Sequence, residues 1–141
     1  MMTLTEFMDG YRHAWEHCDA DGLCALFAAD GVYHNTPFAE QKGHAAIRQY
    51  WERIKLQSDI HLDYEILAER EGGGIAHWHV AYQVTSDELF KIWAASTGTN
   101  VVAREAGEPL PRLALDGIAV VEFDDAGLAR DFRLWWHSVA L

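Results

Sequence analysis

Apolar residues at the start of the chain recur with helical spacing. Leu4, Phe7, Met8, Tyr11, Ala14, Trp15 and Cys18 form one stripe, and Thr3 followed by Glu6 reads as a capping box at its start. Asp19-Ala-Asp-Gly22 breaks and recaps the chain. Leu23, Leu26 and Phe27 then give a face to a short second helix expected to end near Asp30-Gly31. Val32 to Phe38 reads as a strand and Ala39 to Gly43 as a turn or short returning strand. A third helix begins at His44, with Ile47, Tyr50, Trp51 and Ile54 on one side. From about Ile60 the period changes from 3.6 to 2. Leu62, Tyr64, Ile66 and Ala68 alternate with His61, Asp63, Glu65 and Glu69, the pattern of a strand with one wet face. Gly72-Gly73-Gly74 turns this strand into Ile75 to Val84. A second hairpin joins Leu113–Phe123 to Leu128–His137 through Asp124-Asp-Ala-Gly127. Helices first and antiparallel strands after define an α+β chain, with residues 1–141 as a single domain.

Thr85–Arg112 interrupts this order. Ser86 is placed to cap a short helix carrying Leu89, Phe90, Ile92 and Trp93, although a continued strand fits the same residues; Glu108 to Arg112 reads as loop. The segment is too apolar for a disordered connector, so it is expected to be ordered and to pack Phe90 or Trp93 over a cavity mouth or a partner subunit.

Composition narrows the partners. Six Trp, five Tyr and six Phe suit an apolar cavity as well as a core. A net charge of −11 argues against nucleic acid and anionic membrane as partners. No apolar run has transmembrane length and no leader pattern opens the chain, so a cytoplasmic location is expected, with Cys18 and Cys24 as reduced thiols.

Candidate chemistry centres on Tyr33-His34-Asn35-Thr36-Pro37-Phe38. On a strand Tyr33 and Asn35 point the same way, presenting a phenol and an amide that can orient a water or a substrate oxygen. The ordered set of motifs resembles the nuclear-transport-factor-2-like superfamily, which includes the SnoaL-like polyketide cyclases. Tyr11-x3-Trp15-x3-Asp19-Ala-Asp-Gly-Leu-x-Ala-Leu-Phe27-Ala-x-Asp30 is similar to its opening. Gly43-x3-Ile47-Arg48-x2-Trp51 resembles its third helix, and Val121 to Gly127 through Trp136 its closing hairpin. The resemblance implies a cone-shaped fold of three N-terminal helices on a curved antiparallel sheet, hosting isomerases, cyclases, hydrolases, dehydratases and non-catalytic proteins.

Two enzyme branches sharpen the comparison. Tyr33-x-Asn35-x-Pro37 resembles the strand with which limonene epoxide hydrolases hold the attacking water. That branch's Arg and two Asp fall on His77, His79 and Leu134 here. Tyr11 matches the oxyanion-hole Tyr of the ketosteroid isomerases, whose two Asp fall on Ala119 and Asn35. The resemblance therefore carries over a pocket rather than a reaction.

By hydrophobicity alone the face of Ala76, Trp78, Val80, Tyr82 and Val84 points to the core and His77 and His79 to solvent or a subunit interface, but the turn leaves two registers open. A two-residue Gly72-Gly73 loop sets the histidines on the face of Leu62, Tyr64 and Ile66; a three-residue loop reverses this, because one residue of slip turns every side chain over. The resemblance favours histidines inward, where a neutral imidazole can move a proton. Hydrogen-bonded structural histidines are the alternative, and a metal held by His77, His79 and either His137 or Asp116 is another. His13 and His17 lie off the apolar stripe of their helix and read as solvated. Asp116 falls on the sheet's outer face unless Gly117 marks a bulge. Trp135 and Ile118 on that outer face point to a homodimer.

The expectation is a cofactor-independent acid/base enzyme, with no metal, acting on a compact apolar or cyclic metabolite. Tyr33, Asn35, His77 and His79 are its candidate catalytic residues, and Tyr11, Trp15, Trp51, Tyr64, Ala119 and Trp136 line the substrate site. A non-catalytic ligand-binding or dimeric accessory protein is the rival reading.

Overall fold

The computed structural model describes residues 2–97, 104–105 and 107–141. Its first helix, α1 (Leu4–Glu16), forms where the apolar stripe lies, with Thr3 Oγ1 accepting from Glu6 N at 3.1 Å. Leu4, Phe7, Met8, Tyr11, Ala14 and Trp15 are buried by it, while His13 and His17 are exposed and stack on each other. Carboxylates tie both ends of α1 to the sheet: Glu69 accepts from Leu4 N and Glu16 from Leu62 N, each at 2.9 Å.

Helix α2 (Ala20–Cys24) is capped by Asp19, whose side chain accepts from Gly22 N. It ends earlier than the apolar pattern suggested, and strand β1 (Phe27–His34) already includes Asp30-Gly31. Those two residues lie in an irregularity of the ladder between Phe27 and Val32, so they bend a strand where a helix end was expected. The pairing of β1 ends at His34, and the chain turns, with Ala39 N donating to Thr36 O, before a short β2 (Gln41–Lys42). Helix α3 (His44–Trp51) continues as a 3₁₀ turn, Glu52–Leu56.

Two long hairpins follow: β3 (Gln57–Arg70) with β4 (Gly73–Val84), and β5 (Arg112–Phe123) with β6 (Ala129–Ala140). The second turn is held by Asp124 Oδ1, which accepts from Ala126 N and Leu128 N, with Gly127 at φ 83°. Between the hairpins Ser86 caps α4 (Asp87–Ser96), accepting from Leu89 N at 3.1 Å, so the helical alternative holds for the start of the odd segment. Residues 98–103 and 106 of that segment lie outside the described residues.

The six strands form one sheet in the order β2-β1-β6-β5-β4-β3. The pairing is antiparallel except between β1 and β6, which run parallel; the sheet is therefore mostly, not wholly, antiparallel. The architecture is α+β. Besides the helices expected in the N-terminal half it has α4, a further helix. One apolar core joins the helices to one face of the sheet, with Phe7, Tyr11, Phe27, Tyr33 and Phe132 in mutual ring contact.

The β3–β4 register corrects a central expectation. The loop has two residues, but they are Glu71 and Gly72, with Gly72 at φ 82°. Leu67 is then an extra residue between the pairs Ile66↔Ala76 and Ala68↔Ile75, and it turns the alternation over. Beyond this bulge Tyr64 pairs with Trp78 and Leu62 with Val80, so Trp78, Val80 and Tyr82 face the core. His77 and His79 pair with Glu65 and Asp63 on the outer face, not inward. Gly117 marks no bulge. It sits in an unbroken ladder between Trp78 and Trp136, where a Cβ would lie 2.2 Å from the Trp135 carbonyl oxygen and 2.9 Å from Trp78.

Candidate functional site

A cavity lies between the sheet's helix-bearing face, the end of α3 and helix α4. Its walls come from six directions: Trp15 of α1, Tyr33 and Asn35 at the end of β1, Tyr50 to Gln57 around the 3₁₀ turn, Trp78 and Tyr82 of β4, Leu115, Leu134 and Trp136 of β5 and β6, and Leu89, Ile92, Trp93 and Ser96 of α4. Its free volume is about 50 Å³, enough for a few waters but not for a cyclic metabolite. A ligand of that size does not fit unless part of this wall opens. Trp93 forms part of the wall from α4, backed by Phe90 at a ring-centroid distance of 5.5 Å and anchored by Nε1, which donates to Ser138 Oγ at 2.8 Å.

Five of the expected site residues meet at this cavity: Tyr33, Asn35, Trp15, Trp51 and Trp136. The alternation of β1 does bring Tyr33 and Asn35 to one side. Trp136 Nε1 donates to the Asn35 backbone carbonyl at 2.7 Å and so fixes the end of that strand against β6. Trp15 Nε1 donates to Gln57 Oε1 at 2.7 Å.

The other five are placed elsewhere. Tyr11 is fully buried behind the wall, its hydroxyl 2.9 Å from that of Tyr33. Ala119 is sealed in the core opposite Ala76 and Leu134, too small and too deep to reach the cavity. Tyr64 lies against the outside of α1, donating to Asp9 Oδ1 at 2.6 Å, with its hydroxyl pushed up to about 12 by burial and by that carboxylate. His77 and His79 are on the opposite side of the sheet from the cavity, for the reason of register given above.

Residues not foreseen complete the lining. Trp78 and Tyr82 enter with the corrected register, Leu89 and Ile92 with α4, and Tyr50, Arg53, Ile54 and Gln57 with the turn after α3. Alternation would have found Trp78 and Tyr82 had the Leu67 bulge been visible. Nothing in the sequence distinguishes Arg53 from a solvated helix-end cation.

The polar lining is made of phenols, amides, one hydroxyl and one guanidinium. Burial, above all, raises the Tyr33, Tyr50 and Tyr82 hydroxyls, so all three are protonated donors at neutral pH. The Asn35 amide lies beside the Tyr50 hydroxyl and partly offsets that rise. Three buried polar atoms of the lining side chains have no hydrogen-bond partner among the described residues: Asn35 Oδ1, Trp51 Nε1 and Trp78 Nε1. Trp51 Nε1 approaches the Tyr33 hydroxyl outside good hydrogen-bond geometry. An unpaired buried polar group costs about 1–3 kcal/mol, so this wall is set to gain from a ligand that offers a donor and an acceptor.

The outer face gathers a different cluster. His77 Nε2 lies 2.9 Å from Asp116 Oδ1 and His77 Nδ1 3.2 Å from Glu65 Oε1; His79 Nδ1 is 3.2 Å from Asp116 Oδ2. Both His77 nitrogens face carboxylates, so its pKa is raised from the ordinary 6.5, by Asp116 first and Glu65 second, while Asp116 is held below its ordinary 3.8, chiefly by the His77 hydrogen bond. Among the described residues no group of three His, Cys, Asp or Glu side chains is arranged to hold a metal.

The sign of the linkage follows. The His77 contribution to stability is complete below its unfolded pKa and is lost as pH rises through the raised folded value. The Asp116 contribution is present above its unfolded pKa and is lost as pH falls through its lowered folded value. Solvent exposure limits this pair to under ~1 kcal/mol. Asp116→Asn is expected to move the His77 titration midpoint, followed by proton NMR, down toward the ordinary value; an unchanged midpoint would show that Asp116 does not hold it.

Comparison with known proteins places the fold. A SnoaL-like domain matches residues 8–131, and the chain belongs to this family. The epoxide hydrolase/cyclase-like enzyme SalBIII, which has a role in pyran ring formation in the polyether salinomycin, superposes with a TM-score of 0.70 at 12% identity, covering 97% of this chain and 95% of that one. Rv0760c of Mycobacterium tuberculosis, solved with estradiol-17β-hemisuccinate, gives 0.68 at 13%, with coverages of 98% and 99%. The Δ5-3-ketosteroid isomerase of a Mycobacterium species gives 0.67 at 14%, with coverages of 99% and 100%. Among curated proteins no sequence matches significantly. No described helix is long and apolar enough to cross a membrane.

Proposed function

We propose that this SnoaL-like protein binds a compact, largely apolar metabolite through an oxygen function in the aromatic cavity, and acts on it as a cofactor-independent isomerase, cyclase, hydrolase or dehydratase. The observation that carries this reading is the unpaired Asn35 Oδ1 and Trp78 Nε1 in a wall that is mostly aromatic and aliphatic and carries three phenol hydroxyls. A ligand hydroxyl satisfies both kinds of group, donating to Asn35 Oδ1 and accepting from Trp78 Nε1, while a ligand carbonyl serves the indole N–H alone. The protonated Tyr33, Tyr50 and Tyr82 would then donate to negative charge developing on that oxygen. His77 and His79, on the far side of the sheet, take no part. Relatives of the same fold that include a cyclase-like enzyme, a steroid complex and a steroid isomerase are consistent with such a ligand.

Binding without turnover is the second reading, favoured by the make-up of the lining: its phenols and amides orient a ligand and accept no proton at neutral pH. Calorimetric titration with cyclic ketones and alcohols beside their parent hydrocarbons tests the shared claim. The oxygenated member of each pair is expected to bind at least tenfold more tightly, and equal affinity would remove the polar wall from the account. NMR of the bound ligand over hours then separates turnover from binding.

A second copy of the chain is our proposal for the outer face, where Trp135 is 44%, Ile75 37% and Val139 59% exposed around Ile118. Trp135→Glu should convert a dimer to monomer in sedimentation velocity at micromolar concentration. A wild-type monomer would exclude the dimer.

A further inference from the structure

The charge on the cavity wall specifies the ligand further. Of the eight arginines in the sequence, seven lie within 4.0 Å of a carboxylate: Arg12, Arg48, Arg70, Arg104, Arg112, Arg130 and Arg133. Arg53 is the exception among the described residues, in a chain with 22 acidic and 11 basic side chains. The residues outside the described set include no Asp or Glu.

Its position is fixed rather than trailing in solvent. The guanidinium stacks over the Tyr50 ring at 4.1 Å, and Nε donates to the Tyr50 carbonyl at 3.1 Å. Arg53, Tyr50 and Ile92 line both the cavity and a hollow on the outer surface, so they form the partition between the two. The field of Arg53 reaches Tyr33, Tyr50 and Tyr82, opposing in each the rise that burial imposes. Glu52 and Glu88 line the outer hollow, Glu52 already paired with Lys55, and no carboxylate side chain lines the cavity.

We propose that the ligand is an organic carboxylate, its apolar ring or chain enclosed by Trp15, Trp51, Trp78 and Trp93 and its anionic end paired with Arg53 at the cavity mouth. The inference deepens the proposed function and rests on the cavity being the ligand site. A planar guanidinium with unpaired N–H groups matches a carboxylate two-to-two, in a hydrogen-bonded pair charged on both sides. A neutral ligand would leave this cation without an anionic partner. The unpaired Asn35 Oδ1 and Trp78 Nε1 remain for an oxygen substituent farther along the molecule.

Matched acids and amides test this: 2-naphthoate against 2-naphthamide and cinnamate against cinnamamide, by calorimetry with the full chain, its Arg53→Gln variant and its Arg53→Lys variant. Each acid is expected to bind at least tenfold more tightly than its amide. Arg53→Gln should bind both members alike, and Arg53→Lys should keep part of the preference. Equal affinity of acid and amide in the parent protein overturns the carboxylate while leaving the cavity as a ligand site. A preference that survives Arg53→Gln places the anion elsewhere and also overturns it. Failure of every acid and every amide to bind overturns both this inference and the reading on which it rests. The parent comparison stands even if Arg53→Gln fails to fold.

Discussion

Trp78→Ala is expected to lower folding stability by about 3–5 kcal/mol, the range for removing a large buried aromatic side chain. Trp78 is 1% exposed, contacts Trp15 at a centroid distance of 6.0 Å, and fills the space that Gly117 leaves on the neighbouring strand. His77→Ala and His79→Ala, one residue away on either side, should each cost less than ~1 kcal/mol, because their ion pairs are exposed. Urea denaturation of the three variants measures the contrast directly. It also tests the register, since histidines facing the core would reverse the order of the effects.

Asn35→Leu should separate stability from binding. The substitution removes a buried oxygen that has no partner but also the amide's contact with the Tyr50 hydroxyl, so the two effects oppose each other and folding stability should change by less than ~1 kcal/mol. The Asn35 contact to Trp136 uses the backbone carbonyl and survives the exchange. Affinity for an oxygenated ligand should fall at least tenfold, which corresponds to about 1.4 kcal/mol. Denaturation and calorimetry on one preparation give both numbers. A protein destabilised by more than ~2 kcal/mol with unchanged affinity would make Asn35 a structural residue.

Much of the fold was legible because its signals are local. The stripe from Leu4 to Trp15, the Thr3 cap and the Asp124–Gly127 turn each depend on residues three or four apart and form as read, and at Ser86 the helix forms, one of the two alternatives left open there. Tyr33 and Asn35 were legible for the same reason: side chains two apart on an extended segment share a side. What failed was long-range. The sense of His77-Trp78-His79 hangs on one extra residue, Leu67, ten positions away in the partner strand; the hydrophobicity of the Trp78 face pointed the right way, and the resemblance favoured the reverse. Asp30-Gly31 carries the signature of a helix end, yet pairing with β6 draws it into a strand. Tyr11, Tyr64 and Ala119 were given to the pocket by resemblance, but the cavity lies toward α4, away from the middle of α1. Arg53 became conspicuous only when every other arginine was seen to have a carboxylate.

The histidine–aspartate cluster and the cavity occupy opposite faces of one sheet, and their roles differ accordingly. The cluster is solvated and charged, suited to a surface or subunit contact. The cavity is aromatic, partly open and short of partners for its polar atoms. A structure of the protein crystallised with its tightest-binding oxygenated ligand tests the central claim most directly. The account predicts the ligand between Trp78 and Trp93 with α4 displaced outward, and a ligand oxygen at hydrogen-bond distance, about 2.7–3.2 Å, from the Asn35 amide or the Tyr82 hydroxyl. A ligand seated instead on the outer face beside His77, His79 and Asp116, with α4 closed over an unchanged cavity, would contradict it.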